Sequence, residues 1–130
     1  MFARRIFFLM LMACLAATGG CGKRADVKNE ATELQKAFTS ASPAPGTDSA
    51  QDAIQSRATA AVAALKANDY ATASDQLLAL HNLKGLTAEQ RMTVNHVSGT
   101  LVQELIARSA KGDSQAKAAL ERRKTEMDLH

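Results

Sequence analysis

Aromatic residues are scarce in this chain of 130 residues, which has no tryptophan, one tyrosine and four phenylalanines. Only Phe38 and Tyr70 follow Cys21, so the stacking platforms of proteins that bind single-stranded nucleic acid are missing. Concentrated positive charge is missing as well. Without Arg4 and Arg5, 16 − 2 = 14 basic residues face 13 acidic ones, a formal net charge of +1. Nucleic-acid binding depends on clustered positive charge, and we therefore expect no nucleic-acid partner.

Motifs that carry catalysis are also missing. The sequence contains no glycine-rich phosphate loop, no serine-nucleophile motif and no cysteine–histidine pairing. Its three histidines are His81, His96 and His130, and none belongs to a metal motif of two histidines one helical turn apart. His81 and His96 can approach each other only across a turn at Gly85, and we expect surface or boundary positions for both. The sequence predicts a protein that is not an enzyme and has no catalytic residues, cofactor or metal site.

One local run of positive charge is present, Arg122-Arg123-Lys124. It lies near the end of a predicted helix, where cations suit the helix dipole. We interpret it as a solvated helix face, with phosphate binding as the alternative. Carboxylates such as Glu121 lie beside these cations, and i,i+4 pairing is their usual role in such a pattern.

The first 21 residues have the pattern of an export signal. Arg4 and Arg5 precede an uncharged apolar run over residues 6–17, and three small residues then lead into Cys21. A membrane-spanning helix needs about 20 apolar residues, which is more than this run provides. The pattern is typical of a signal peptide over residues 1–20 that is removed, and about 110 residues then remain.

Cys21, preceded by Thr18, Gly19 and Gly20, resembles the lipobox of bacterial lipoproteins. The resemblance implies cleavage before Cys21 and acylation of this cysteine on its sulfur and its amine. Two features leave alternatives open. The family usually has a branched apolar residue where Thr18 stands, and a second candidate, Leu-Met-Ala-Cys ending at Cys14, has the leucine but a shorter apolar run. Ordinary signal cleavage that leaves a free thiol is the other alternative. Without Cys14, however, Cys21 has no intramolecular disulfide partner, which favours acylation.

The same resemblance implies where the protein is held. Acyl chains on Cys21 would anchor it to a membrane of the cell envelope, with the rest of the chain facing the periplasm. Gly22 follows the cysteine, in place of the aspartate that holds some lipoproteins at the inner membrane. We therefore expect the outer membrane rather than the inner one.

Beyond the anchor the chain is predicted to have four parts. Residues 21–26 form a lipidated tether, residues 27–38 a short amphipathic helix, residues 39–49 a linker with two prolines, and residues 50–130 a helical domain. The apolar stripe of the short helix consists of Val27, Ala31, Leu34 and Phe38. A helix of about a dozen residues is marginal alone, so the stripe needs a partner: the domain, a second copy or the membrane surface.

The helical domain is predicted to contain four helices, over about residues 48–67, 70–82, 87–110 and 114–127, with no strand. Thr87 to Gln90 reads as a capping box, and Gly85 suits a left-handed turn. In the last helix we expect four residues to face inward: Ala116, Ala119, Leu120 and Met127. The glycine inside the third helix, Gly99, indicates close approach of a neighbouring helix or simple tolerance. The fold class is all-α, as a small helical bundle or as stacked helical hairpins.

Residues 65–73, Leu-Lys-Ala-Asn-Asp-Tyr-Ala-Thr-Ala, resemble the turn of a tetratricopeptide-type helical hairpin. A second polar turn contains Asp113, about 44 residues after Asp69, whereas that family repeats at about 34 residues. The resemblance implies a concave face that binds proteins or peptides. We therefore expect a non-enzymatic structural or protein-binding adaptor that contacts another envelope protein. The alternative is a periplasmic module that binds a small or peptide ligand between its helices.

Overall fold

The computed structural model describes residues 26–40 and 48–129. Over these ranges the chain forms five helices and no strand: α1 (Val27–Thr39), α2 (Asp48–Lys66), α3 (Tyr70–His81), α4 (Ala88–Ala110) and α5 (Ser114–Asp128). The predicted all-α fold is confirmed. None of the described helices is long and apolar enough to cross a membrane.

Short polar side chains cap the starts of four helices, α1, α3, α4 and α5. The capping box predicted at α4 is present, since Thr87 Oγ1 accepts from the Gln90 N–H at 3.1 Å and Gln90 Oε1 accepts from the Thr87 N–H at 3.0 Å. Asp69 caps α3 and Asp113 caps α5, each by accepting backbone N–H groups of the first turn. These bonds satisfy amides that have no partner inside the helix, so they fix where each helix begins.

The turns between the helices use left-handed backbone. Asn68, between α2 and α3, has a φ of 58°, and Gly112, between α4 and α5, has a φ of 93°. Gly85 has a φ of 99°, which confirms the left-handed turn predicted there. Asparagine and glycine tolerate this conformation, so each turn reverses the chain within a few residues. The result is two helical hairpins, α2–α3 and α4–α5.

Four of the helices close a ring. α1 packs against α2 and α4, and α3 packs against the same two helices from the other side. The stripe of α1 is covered by this packing: Leu34 and Ala31 are fully buried, and Val27 and Phe38 are nearly so. The sequence left three partners open for this stripe: the helical domain, a second copy or the membrane surface. In the structure the stripe packs on helices of the same chain. α5 lies outside the ring, against α3 and α4.

The two hairpins are joined near their turns by Arg108 of α4. Its guanidinium carbon lies 4.2 Å from the centre of the Tyr70 ring, at the start of α3, in a cation–π contact. The same guanidinium pairs with Glu104 at 3.1 Å and approaches Asp113 at 4.0 Å. One side chain therefore contacts the first residue of α3 and the N-cap of α5. The α4–α5 hairpin therefore stacks on the α2–α3 hairpin, with the turns of both hairpins at the same end of the bundle.

The core is mainly aliphatic and small. Its fully buried large side chains are Leu34, Leu65, Leu77, Leu80, Val94, Val97, Leu101 and Leu105. On α5 only Ala116 and Ala119 are buried, and the partly buried Leu120 packs against the core. The inward position predicted for Met127 is wrong, because this side chain is 61% exposed. Met127 lies near the end of the outermost helix, where α3 and α4 cover only one side.

Candidate functional site

The predicted lipidation site lies outside the described residues. Thr18, Gly19, Gly20 and Cys21 all precede Asp26, where the description begins. Asp26 is the N-cap of α1 and accepts the Lys28 N–H at 3.2 Å. The acylated cysteine and the signal cleavage therefore remain predictions from the sequence.

A groove of about 500 Å³ lies between α3, α4 and α5, and we call it the α3–α4–α5 groove. Its apolar lining consists of Leu78, Val102, Leu120 and Met127. Its polar lining consists of His81, Asn95, Ser98, Gln103 and Arg123, with Gly99 between them. The groove exists because α5 packs against α3 and α4 through small alanines and leaves its longer side chains at the edge. Five of the ten lining residues are exposed, so it is an open cleft rather than an enclosed cavity.

Arg123 is the single permanently charged side chain of this lining, which contains no carboxylate. Its guanidinium donates to the Ser74 hydroxyl at 3.4 Å and is half-buried, and this burial lowers the pKa of Arg123. In the part of the chain that the structure describes, Arg123 forms no salt bridge. Its neighbour Arg122 does, with Asp75 of α3 at 3.2 Å. Arg122 and Lys124 are exposed, as expected for a solvated helix face, whereas Arg123 is half-buried against α3 and departs from that interpretation.

Gly99 widens the groove. A Cβ atom at this position would meet nothing within 4 Å, so no neighbouring helix approaches it closely. Of the two explanations for this glycine, close approach is wrong. Because Gly99 has no side chain, the α4 wall of the groove is recessed between Asn95 and Gln103.

His81 and His96 do not contact each other, and each contacts a different residue. His81 Nδ1 lies 3.0 Å from Asn95 Oδ1 at the edge of the α3–α4–α5 groove. His96 Nε2 lies 3.4 Å from Glu30 Oε1, which joins α4 to α1. The expected surface position is confirmed for both, since each is exposed.

A second cluster surrounds this contact. Ligand atoms of Glu30, Glu33 and His96 lie within 4.8 Å of one another. Thr100 also donates its hydroxyl to Glu30 Oε1, at 3.3 Å. The other carboxylate oxygen, Oε2 of Glu30, is buried and has no hydrogen-bond partner among the described residues. We did not predict this cluster, because Glu30 and His96 are distant in sequence and only the packing of α1 on α4 brings them together.

A smaller groove, of about 320 Å³, lies between α1 and α2. Its apolar floor is formed by Phe38, Ala58 and Val62, and Lys66 Nζ donates to Gln35 Oε1 at 2.8 Å at its edge. Residues 41–47, which connect these two helices, lie outside the described residues. We therefore base no function on this groove.

Comparisons with known proteins found no relative of this chain. No protein-family model, curated protein or solved structure matches the chain. Function is therefore argued from the N-terminal sequence and from the α3–α4–α5 groove.

Proposed function

We propose that this chain is a lipid-anchored protein of the bacterial cell envelope, whose helical domain acts as a non-enzymatic adaptor for another envelope protein. The observation that carries the proposal is the N-terminal pattern: Arg4 and Arg5, the uncharged run over residues 6–17, and the small residues before Cys21. Outer-membrane attachment is part of the proposal, because Gly22 follows the cysteine.

The proposed anchor has a physical consequence for the domain. Each buried methylene contributes about 0.8 kcal/mol, so two or more acyl chains hold a protein stably at a bilayer. Only residues 22–26 separate Cys21 from α1. An extended chain spans at most about 3.5 Å per residue, so this tether reaches about 20 Å. A partner of the domain would therefore be bound close to the membrane surface.

The openness of the α3–α4–α5 groove supports an adaptor over a small-ligand module. Pockets for small molecules bury most of the ligand surface. Here half of the lining residues are exposed, among them His81, Asn95 and Met127. A partner that covers the groove with its own surface fits this shape better. The small or peptide ligand bound between helices stays the second candidate, because about 500 Å³ lies within the usual range of ligand pockets.

Mass spectrometry of the membrane-extracted protein tests the anchor. We expect the N-terminal peptide to begin at Cys21 and to carry the mass of several acyl groups. Cys21→Ala should abolish this species and release the protein from washed membranes. Cys14→Ala is the matched control and should leave the acylated peptide unchanged. An unmodified chain, a start at another residue, or loss of the acyl mass in Cys14→Ala instead would contradict the proposal.

A further inference from the structure

We infer that the α3–α4–α5 groove binds an amphipathic helix of a partner protein, whose apolar residues pack on Leu78, Val102, Leu120 and Met127 and whose carboxylate pairs with Arg123. The inference deepens the adaptor role and rests on that proposal for the class of partner. It names the site, the secondary structure of the occupant and the charge that the occupant must carry.

The apolar part of the inference starts from Met127 and its neighbours. Met127 is 61% exposed, although it lies on the same groove as the partly buried Leu78, Val102 and Leu120. Methionine is flexible and adapts its shape, which suits it to surfaces that receive other proteins. An apolar residue of a partner would remove these side chains from water together, at about 25 cal/mol for each square ångström of apolar surface buried.

The charge of the occupant follows from Arg123. Its guanidinium is half-buried at the groove, has Ser74 as its hydrogen-bond partner and faces no carboxylate of the lining. Asp75 is nearby in sequence to Ser74, but it pairs with Arg122. A guanidinium binds a carboxylate with two parallel hydrogen bonds, which are stronger than neutral ones. A glutamate or aspartate of the partner is therefore the complementary group.

The helical conformation follows from the walls of the groove. Helices form all three sides, so their backbone N–H and C=O groups are already bonded within each helix. An extended peptide would bring its own backbone groups into an apolar groove with no sheet edge to pair them. A helix satisfies its own backbone and presents only side chains. The groove runs from Asn95 to Gln103 along α4, about 12 Å at 1.5 Å per residue, which matches about two turns of a bound helix.

Gly99 provides a variant that blocks the groove without strain. Because a Cβ there meets nothing within 4 Å, Gly99→Leu should fill the groove and also favour the helix. Ala118→Leu is the matched control, since Ala118 is exposed and lies on the side of α5 opposite Leu120 and Met127. Arg123→Gln removes the charge, and Arg123→Lys retains it. Circular dichroism and thermal unfolding of all four variants should show that the fold is retained.

The probe is a display library of helical peptides with apolar residues fixed at i, i+3, i+4 and i+7 and the other positions varied. The library is selected against the full chain, purified in detergent. We expect enriched peptides to carry Glu or Asp at one fixed distance from the apolar residues. For a synthetic enriched peptide, Glu→Gln in the peptide should weaken binding about ten-fold, and Arg123→Gln should remove this difference. Arg123→Lys should restore part of it.

Three results would overturn the inference. One is the absence of any enriched peptide; another is an enriched set without an acidic residue at a fixed position. The third is binding that Gly99→Leu leaves unchanged relative to Ala118→Leu, which would place the peptide elsewhere. These binding measurements do not depend on acylation of Cys21. Failure of the lipid anchor, which is measured by mass, is therefore distinguishable from failure of the groove.

Discussion

His96 Nε2 lies 3.4 Å from Glu30 Oε1, and this contact joins α4 to α1. The two partners differ in environment, since the His96 side chain is 64% exposed and that of Glu30 only 13%. The other oxygen of Glu30, Oε2, is buried with no partner among the described residues. A buried carboxylate oxygen without a hydrogen bond destabilises the fold, so the pair does not explain why α1 stays on the bundle.

Glu30→Met should therefore leave the free energy of unfolding unchanged within about 0.5 kcal/mol, or raise it, because it replaces the buried carboxylate with an apolar side chain of similar length. Urea unfolding of the variant and of the wild type measures the difference. Glu33→Met is the control, since Glu33 is exposed one turn away. A loss of more than about 1 kcal/mol for Glu30→Met alone would mean that the carboxylate has a stabilising partner, such as a cation shared with Glu33 and His96.

Leu34→Ala tests whether apolar burial holds α1 in place. Leu34 of α1 is fully buried against the neighbouring helices. Truncating such a leucine to alanine costs about 2–5 kcal/mol of stability, because apolar burial is lost and a cavity remains. We expect a loss of that size in urea unfolding, with a single cooperative transition. Thr32→Ala, at an exposed position of the same helix, should change stability by less than about 0.5 kcal/mol. An unchanged stability for Leu34→Ala would show that α1 is not part of the folded unit in solution.

The N-cap of α3 should make stability depend on pH in the acid range. Hydrogen bonds from Thr72, from its side chain and then its backbone N–H, lower the pKa of Asp69 below its ordinary value of 3.8. Because the folded pKa is the lower one, the stabilisation is present above the unfolded pKa and is lost as the pH falls through the folded pKa. Asp69→Ala should cost about 1 kcal/mol at pH 7.

The cost of Asp69→Ala should be smaller when unfolding is measured in acid, below the folded pKa of Asp69, than at pH 7, because protonation removes the charge of the capping carboxylate. Asp69→Asn is the control, since asparagine caps helices well and does not titrate. The difference in free energy of unfolding between Asp69→Asn and Asp69→Ala should be the same at both pH values. Equal costs of Asp69→Ala at both pH values would show that the charge of Asp69 does not contribute.

The helices of this chain could be predicted because their signals are local. Asp69, Thr87 and Asp113 mark helix starts by capping, and apolar spacing within each segment shows which face is buried. The packing partner of α1 could not be predicted, because its stripe fits any apolar surface. Only the tertiary arrangement brings Leu34 between α2 and α4.

The groove was missed for a different reason. Its lining comes from three helices, and no local pattern specifies how α5 packs against α3 and α4. One signal was nevertheless present. Arg123 belongs to the series Ala116, Leu120, Arg123 and Met127, which has the same i, i+4, i+7, i+11 spacing as the apolar stripes. That position places Arg123 on the inner face of α5, although its charge led us to interpret it as solvated.

Two glycines with different backbone conformations, Gly99 inside α4 and Gly112 in the α4–α5 turn, give the last prediction. Gly99→Ala should raise the free energy of unfolding by up to about 1 kcal/mol, because glycine in a helix interior is that much less favourable than alanine and the new Cβ meets no atom within 4 Å. Gly112→Ala also meets no atom, but its φ of 93° is strained for alanine, and we expect a loss of about 1–2 kcal/mol. Since both sites are sterically open, thermal unfolding of this pair isolates the backbone conformation. Stabilisation by Gly112→Ala would show that the α4–α5 turn is not left-handed, and destabilisation by Gly99→Ala would mean that the α4 wall of the groove is closer to its neighbours than the structure shows.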